Sequence, residues 1–301
     1  MAATAAMLAH RLASGPLLLD GAMGTELERR GLAAPPPLWS AAALLTAPEV
    51  VAQIHREYAA AGTDILVANT FRTNPRTLKR AGRLEAGADL NRLAIELARR
   101  GAAEARTGRT VWVAASVAPV EDCYSPELVP DDAALQAEHA QMMSWLRAAQ
   151  PDLIWIETMN TLREARVAAQ TAVAAGLPFV ASFVVGESGE LLGGQSLEDA
   201  VAAIEPLRPL ALGLNCIPPR GLEMLLPRLR RATTLPVAAY AHVNNAAPIR
   251  GWSFAQTASP REYAAYAKRW VELGARIVGG CCGTSPAYIA AIAQLTRAAV
   301  G

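Results

Sequence analysis

Short apolar runs recur along the chain at intervals that leave room for a helix between them. The apolar residues in several runs are continuous and do not alternate with polar ones, which is typical of parallel strands covered on both faces. The pattern predicts eight strands, at residues 17–19, 65–68, 111–117, 153–156, 179–184, 210–214, 237–240 and 277–278.

The segments between these runs show helical periodicity and residues typical of helix boundaries. Helices are predicted at residues 48–61, 88–105, 131–149, 162–175, 221–231, 260–273 and 286–298. The boundary residues are prolines near helix starts (Pro48, Pro260, Pro286), capping hydroxyls before them (Thr46, Ser259, Ser285) and glycines at helix ends (Gly62, Gly176, Gly274).

Eight strand–helix repeats in 301 residues predict an α/β fold of the (β/α)₈ TIM-barrel type. A doubly wound sheet is the alternative, but it usually has a glycine-rich dinucleotide loop after an early strand, which residues 21–24 only partly resemble. Because the chain shows no linker and no break in composition, we expect a single domain over residues 1–301.

Charge and composition narrow the class of protein. Lys and Arg number 28 against 27 Asp and Glu, and this balance disfavours nucleic acid as a partner. Residues 167–186 carry no charge, but Gly176 and Pro178 interrupt them, so we expect a helix–strand joint there and no membrane span. The opening segment is interpreted as a helix without a signal peptide. Four cysteines are too few for a disulfide scaffold, which favours a reducing, cytoplasmic setting.

Three of the cysteines follow predicted strands. Cys216 comes just after the sixth strand, and Cys281 and Cys282 come just after the eighth, among Gly279, Gly280 and Gly283. Active sites of such barrels lie where the strands end, and glycines permit the backbone geometry that lets two adjacent thiols face one metal ion.

Three thiolates with an open fourth position suit Zn²⁺ and a substrate that is itself a thiol. The natural reaction is attack of that thiolate on an activated methyl group. The alternative is that these cysteines are small buried apolar residues, an interpretation we favour for Cys216 taken alone. Cys123, after the third strand, is expected to be an incidental thiol.

Several motifs in order along the chain resemble those of the homocysteine S-methyltransferase family, a family of zinc-dependent (β/α)₈ barrels. The motifs are Asp20-Gly21-Ala22-Met23-Gly24-Thr25, Leu38-Trp39-Ser40, Asn69-Thr70-Phe71, Glu157-Thr158, Gly213 to Cys216 and Gly279 to Thr284. The last is highly specific, and the resemblance covers nearly the whole chain.

The resemblance implies a catalytic zinc ion bound by Cys216, Cys281 and Cys282, with the sulfur of homocysteine as fourth ligand. It also implies an amino-acid site. Glu157 and Asp20 would bind the ammonium group, the backbone N–H groups of Gly21, Ala22 and Met23 would bind the carboxylate, and Asn69 would complete the site.

The methyl donor is less determined. Residues 38–40 resemble stand-alone enzymes that use S-methylmethionine or S-adenosylmethionine, so we expect a sulfonium donor and methionine as product. Residues 242–248 resemble the homocysteine module of cobalamin-dependent methionine synthase, where the asparagine matching Asn244 can be a fourth zinc ligand without substrate. His242 is then expected to be a hydrogen-bonding loop residue.

After the third strand, residues 120–126 replace a longer acidic, glycine-rich loop of the stand-alone enzymes. Other readings therefore stay open: another small thiol or selenol as acceptor, a separate corrinoid protein as donor, or an inactive thiol-binding barrel. A Schiff-base aldolase is disfavoured because the only lysines, Lys79 and Lys268, lie in predicted helices.

Overall fold

The computed structural model describes residues 2–32, 35–243 and 257–297. Eight parallel strands are found in this part of the chain, and each contains or overlaps one of the predicted apolar runs. They are β1 (Leu17–Leu18), β2 (Ile65–Ala68), β3 (Trp112–Val117), β4 (Leu153–Met159), β5 (Phe179–Phe183), β6 (Ala211–Asn215), β7 (Val237–Ala241) and β8 (Ala275–Gly280).

The strands form one sheet in the order β1-β8-β7-β6-β5-β4-β3-β2. A parallel bridge between Leu19 and Ile65 brings the two outer strands together, and the N–H of Asp20 donates to the carbonyl of Ile65 over 3.1 Å. The sheet thus closes into a barrel, as predicted. This contact pairs backbone groups that an open sheet would leave unpaired at its edges.

Helices surround the barrel and alternate with its strands. Within the described residues they are α1 (Ala2–Ser14), α2 (Gly24–Arg29), α3 (Ala42–Thr46), α4 (Pro48–Ala61), α5 (Pro75–Arg80), α6 (Gly87–Glu104), α7 (Asp132–Ala149), α8 (Leu162–Ala174), α9 (Leu197–Ile204), α10 (Pro219–Ala232), α11 (Pro260–Glu272) and α12 (Pro286–Arg297). None of these helices is long and apolar enough to cross a membrane.

Most of the helix boundaries that the structure tests agree with the predicted chemistry. Gly62, Gly176 and Gly274 have φ values of 117°, 69° and 101°, which glycine adopts readily at a helix end. Ser259 forms a capping box with Glu262 at the start of α11. The predicted cap Thr46 is wrong: it ends α3, and Ala47, which has no capping side chain, precedes Pro48.

Two apolar layers position the functional end of the barrel. The larger layer fills the space between strands and helices, and a smaller one fills the barrel interior, where Trp155 and Tyr240 are its bulkiest members alongside Trp112. Leu8 and Leu12 of α1 belong to the interior layer too, so α1 packs against the barrel core. Active-site residues then lie at the carboxyl ends of the strands, above Trp155 and Tyr240.

Candidate metal and substrate site

Cys216 directly follows β6 in an unusual backbone conformation. Its φ is +55°, in the left-handed region that few non-glycine residues occupy. The N–H of Cys216 donates to the carbonyl of Tyr240 over 3.1 Å. The preceding side chain, Asn215, is buried and accepts hydrogen bonds from the N–H of Thr158 and the hydroxyl of Ser182. These bonds fix the end of β6. Because of its positive φ, Cys216 departs from the alternating side-chain directions of the strand.

Cys281 and Cys282 directly follow β8 and are held to β7 on both sides. The N–H of Cys281 donates to the carbonyl of Ala241 over 2.9 Å, and the carbonyl of Cys282 accepts from the N–H of Val243 over 2.8 Å. A Cβ on Gly280 would lie 2.2 Å from Oγ1 of Thr284, so no larger residue fits there without displacement. The glycine frame noticed in the sequence is therefore required by close packing.

The three Sγ atoms of Cys216, Cys281 and Cys282 lie within 4.8 Å of one another. Those of Cys216 and Cys282 are 3.8 Å apart. Sulfurs bound to one tetrahedral zinc ion at about 2.3 Å lie about 3.8 Å apart, so the spacing of this pair fits such an ion. Among the described residues, no other group of His, Cys, Asp or Glu side chains has this arrangement.

The electrostatics of the three thiols also call for a cation. Contacts with Cys216 and Cys281 lower the pKa of the Cys282 thiol well below its usual range, while contacts with Cys216 and Cys282 raise the pKa of Cys281. Without a cation, three thiols this close to one another therefore do not all ionise readily. A bound divalent ion supplies the charge that lets all three be thiolates.

Two buried carboxyl groups lie at the neighbouring part of the barrel mouth. Glu157, near the end of β4, accepts from the hydroxyl of Ser116 over 2.6 Å and from Tyr240 over 3.4 Å. Burial raises its pKa to about 7. Asp20, just after β1, accepts from the N–H of Val67 over 2.8 Å, and burial raises its pKa well above the usual range, with a smaller contribution from Glu157. Within the described part of the chain, neither carboxyl group forms an ion pair with a cationic side chain.

The motif at residues 20–25 packs directly on the second cysteine motif. Oγ1 of Thr284 accepts from the N–H of Ala22 over 3.3 Å and donates to the carbonyl of Cys281 over 2.7 Å. A Cβ on Gly21 would lie 2.5 Å from the same oxygen. Met23 follows immediately and precedes α2. The predicted amino-acid site and the predicted metal site are thus adjacent.

The remaining predicted residues have different positions. Nδ2 of the buried Asn69 donates to the carbonyl of Ser40 over 2.8 Å, which ties the end of β2 to the residue 38–40 motif. The backbone N–H of His242 donates to the carbonyl of Ile217 over 3.2 Å, and its ring is not part of the three-cysteine group. Asn244, the expected fourth ligand without substrate, lies outside the described residues.

The segment between β3 and α7 supplies a residue that the sequence analysis missed. The hydroxyl of Tyr124 lies 2.8 Å from Sγ of Cys216. Its neighbour Cys123 is buried, and burial raises the pKa of this thiol to about 12, which fits an inert thiol. The available signal was position: segments after barrel strands reach the active-site mouth, and Tyr124 is a polar aromatic residue in one of them.

Known proteins are similar to this chain in sequence and architecture. The family model for homocysteine S-methyltransferase matches residues 17–296. The homocysteine S-methyltransferase of Escherichia coli is 33% identical over 297 residues, which cover 92% of this chain and 94% of that protein. A selenocysteine Se-methyltransferase of Brassica oleracea is 28% identical over 310 residues, 92% of this chain and 88% of that protein.

Among solved structures, the metallated form of the homocysteine methyltransferase MmuM from Escherichia coli superimposes with a TM-score of 0.82. It is 31% identical, and the match covers 93% of this chain and 96% of that one. The match to the family model spans nearly the whole barrel, including all three clustered cysteines. This chain therefore belongs to the homocysteine S-methyltransferase family and is an enzyme of that class.

Proposed function

We propose that this enzyme is a zinc-dependent methyltransferase that moves a methyl group from a sulfonium donor to the thiol of homocysteine, giving methionine. The observation that carries the proposal is the convergence of three thiols within 4.8 Å beside two buried carboxyl groups. A metal cation would suit the first cluster, and an organic cation such as an ammonium group would suit the second. A single amino acid with a thiol side chain can serve both.

Cys216, Cys281 and Cys282 would hold the ion. Three sulfur ligands favour zinc over magnesium or calcium, which prefer oxygen. When bound, zinc supplies an open coordination position at which the thiol of homocysteine is held deprotonated and nucleophilic. The surrounding cysteines keep the site electron-rich, which suits a sulfur nucleophile better than activation of water.

The amino-acid end of homocysteine would lie on the carboxylate side. Glu157 and Asp20 are buried, and burial raises the pKa of both, so an ammonium group between them would favour their ionised forms and pair with them. The backbone N–H groups around Gly21 to Met23 would donate hydrogen bonds to the substrate carboxylate, and Asn69 would complete the site. Binding at two points aligns the sulfur for an in-line displacement.

The methyl transfer needs little further help from the protein. A bond forms between the homocysteine sulfur and the methyl carbon while the carbon–sulfur bond of the sulfonium breaks, and the electron pair leaves on a neutral thioether. A neutral thioether is a good leaving group, so no general base or acid is required at this step. S-methylmethionine and S-adenosylmethionine both have this chemistry.

Metal content and turnover together test the proposal. We expect freshly purified protein to contain one zinc per chain and to form methionine from homocysteine with at least one of the two sulfonium donors. The donor panel includes a methylated corrinoid protein. Protein that is folded and free of zinc, or that turns over only with the corrinoid donor, would contradict the proposal.

A selenol acceptor is the second candidate, because one relative is named a selenocysteine Se-methyltransferase. Comparing kcat/KM for homocysteine, selenohomocysteine and selenocysteine under one donor separates the two. Binding of homocysteine without turnover for any donor would instead support an inactive thiol-binding barrel.

We further propose that residues 1–301 act as one catalytic domain and that the enzyme works in the cytoplasm. The family match over residues 17–296 supports the first point. The second is supported by the four cysteines, which are all free in the structure. A reducing compartment would keep them available for metal binding.

A further inference from the structure

The segment between β3 and α7, residues 118–131, lies against the cysteine cluster. Its contact there is the hydroxyl of Tyr124, 2.8 Å from Sγ of Cys216. The side chain of Tyr124 is half-buried, and the preceding Cys123 is buried. The sequence analysis predicted the metal ligands from residues at strand ends alone. The hydroxyl of Tyr124 is a polar group beside one of those ligands, and none of the sequence motifs includes it.

The start of the segment is anchored by buried polar groups of the neighbouring helices. Oε1 of the fully buried Glu164 accepts from the N–H of Val120 over 2.8 Å and lies 3.0 Å from Nε2 of His139. Nδ2 of Asn160 donates to the carbonyl of Asp122 over 3.3 Å. These bonds connect the segment to α8 and to the residue after β4, and His139 of α7 contacts the same carboxylate of Glu164.

A second set of bonds reaches the segment from the loop before α5 and from α5 itself. The carboxylate of Glu121 accepts from Arg76 over 3.0 Å and from Arg80 over 2.6 Å. The carbonyl of Glu121 accepts from Arg72 over 2.8 Å. Contacts from α5, from the loop before it, from α8 and from the residue after β4 hold the residues before Tyr124, so the fold places Tyr124 beside Cys216.

When the cluster holds a metal ion, Cys216 is a thiolate and can only accept, so the phenol donates. Such a hydrogen bond draws electron density from the sulfur and fixes its lone pairs relative to the metal. We propose that Tyr124 is a positioning residue of the metal site, which donates to the Cys216 thiolate and thereby slows metal release and weakens electron donation from that sulfur. The inference rests on the proposed function only in requiring that the three cysteines bind a metal.

The test uses the full-length enzyme and its Tyr124→Phe variant, which removes one oxygen atom. Both are loaded with Co²⁺, whose sulfur-to-metal charge-transfer band reports the electron density on the ligands, and with Zn²⁺, whose release to a chromogenic chelator is timed. We expect the variant to release zinc about tenfold faster, the lower end of the usual effect of removing a ligand's hydrogen-bond partner. Its cobalt charge-transfer band should move to lower energy.

Tyr266→Phe is the matched control, because this tyrosine lies on α11 with its ring against Arg269 and Trp270. It should release zinc at the wild-type rate with an unshifted band. Wild-type release and an unshifted band in Tyr124→Phe would overturn the inference. So would a changed cobalt d–d intensity, which would mean that the ligand set itself had changed. Failure of the wild-type enzyme to bind either metal would instead refute the proposed function.

Discussion

The cysteine side and the carboxylate side of the barrel mouth both concentrate negative charge, but they do so by different means. On the cysteine side the backbone sets the geometry: Cys216 has a positive φ, and Gly280 leaves room for Thr284. On the carboxylate side, burial and side-chain hydrogen bonds matter most. Ser116 and Tyr240 orient the buried Glu157, which lies where the register of β4 shifts, next to Thr158 with its φ of 59°.

The difference indicates what each side is sensitive to. A site fixed by main-chain geometry and close packing is sensitive to added volume and to the loss of a ligand atom. A site fixed by burial of ionisable groups is sensitive to pH and to charge removal. The predictions below are arranged to separate these sensitivities, beginning with the largest effect.

Removing a proposed ligand should abolish the function of the cysteine side. Cys281→Ala is expected to lower zinc affinity by more than about 100-fold, beyond the 10- to 100-fold typical of losing a ligand's hydrogen-bond partner. Zinc per chain, measured by mass spectrometry after dialysis against a chelator, should fall to near zero, while circular dichroism shows the barrel folded. Cys123→Ser, at a buried thiol outside the cluster, should keep one zinc; full zinc occupancy in Cys281→Ala would show the ligand assignment to be wrong.

Removing the charge of Glu157 should break the carboxylate side alone. Glu157→Gln is expected to weaken homocysteine binding about 100-fold, because a buried ammonium group would lose its partner. Zinc content should stay at one per chain. Isothermal calorimetry checks the affinity, and Glu104→Gln, at an exposed glutamate of α6, provides the matched control. Equal homocysteine affinity in the Glu157 variant and the wild type would remove Glu157 from the substrate site.

Added volume should disturb the cysteine side even with all ligands intact. In Gly280→Ala the new Cβ must displace Thr284, and overpacking of this kind costs about 1–3 kcal/mol. We expect zinc affinity to fall about tenfold and the thermal midpoint to drop. Gly108→Ala, with open space around the new Cβ, carries only the backbone cost of its positive φ and should leave zinc affinity unchanged. Unchanged zinc affinity in both variants would argue against a packing-set geometry.

The smallest expected effect is the pH dependence of binding on the carboxylate side. Burial raises the pKa of Glu157 to about 7, and only its ionised form pairs with an ammonium group. Affinity for methionine, a probe without a thiol, should therefore be full above pH 7 and fall by up to about tenfold per unit as pH drops below 7. Calorimetry between pH 8 and 5.5 checks this. In Glu157→Gln, only the contribution of Asp20 should remain in the pH profile of methionine affinity. A flat profile in the wild type would contradict the assignment of Glu157 to the ammonium site.

Most of the fold could be predicted because its signals are local. Each strand contains or overlaps a short apolar run: β2 has the predicted bounds, while β4 extends past its run to include Glu157 and Thr158. Short helices such as α2, α5 and α9 lack a long periodic pattern and were not predicted. The expected Thr46 cap failed because α3 occupies that position, a tertiary detail that a capping hydroxyl in the sequence does not reveal.

The site could be predicted only where its chemistry is carried by residue type. Three cysteines in a glycine frame have few other interpretations, and the structure brings them together. Tyr124 was missed because its position depends on Glu164 and Arg80, which are distant in sequence from Cys216. The hydrogen bond that the N–H of Val67 donates to Asp20 was missed for the same reason: it depends on where β1 and β2 meet when the barrel closes.

The hydroxyl of Thr284 has a consequence for the whole catalytic cycle. This hydroxyl donates to the carbonyl of Cys281 in the metal-site motif and accepts from the N–H of Ala22 in the predicted amino-acid-site motif. A shift that metal loading imposed on Cys281 would act on Ala22 through these two hydrogen bonds. If metal loading changes the affinity for an amino acid in this way, thermodynamic reciprocity requires that the amino acid change the affinity for the metal by the same factor.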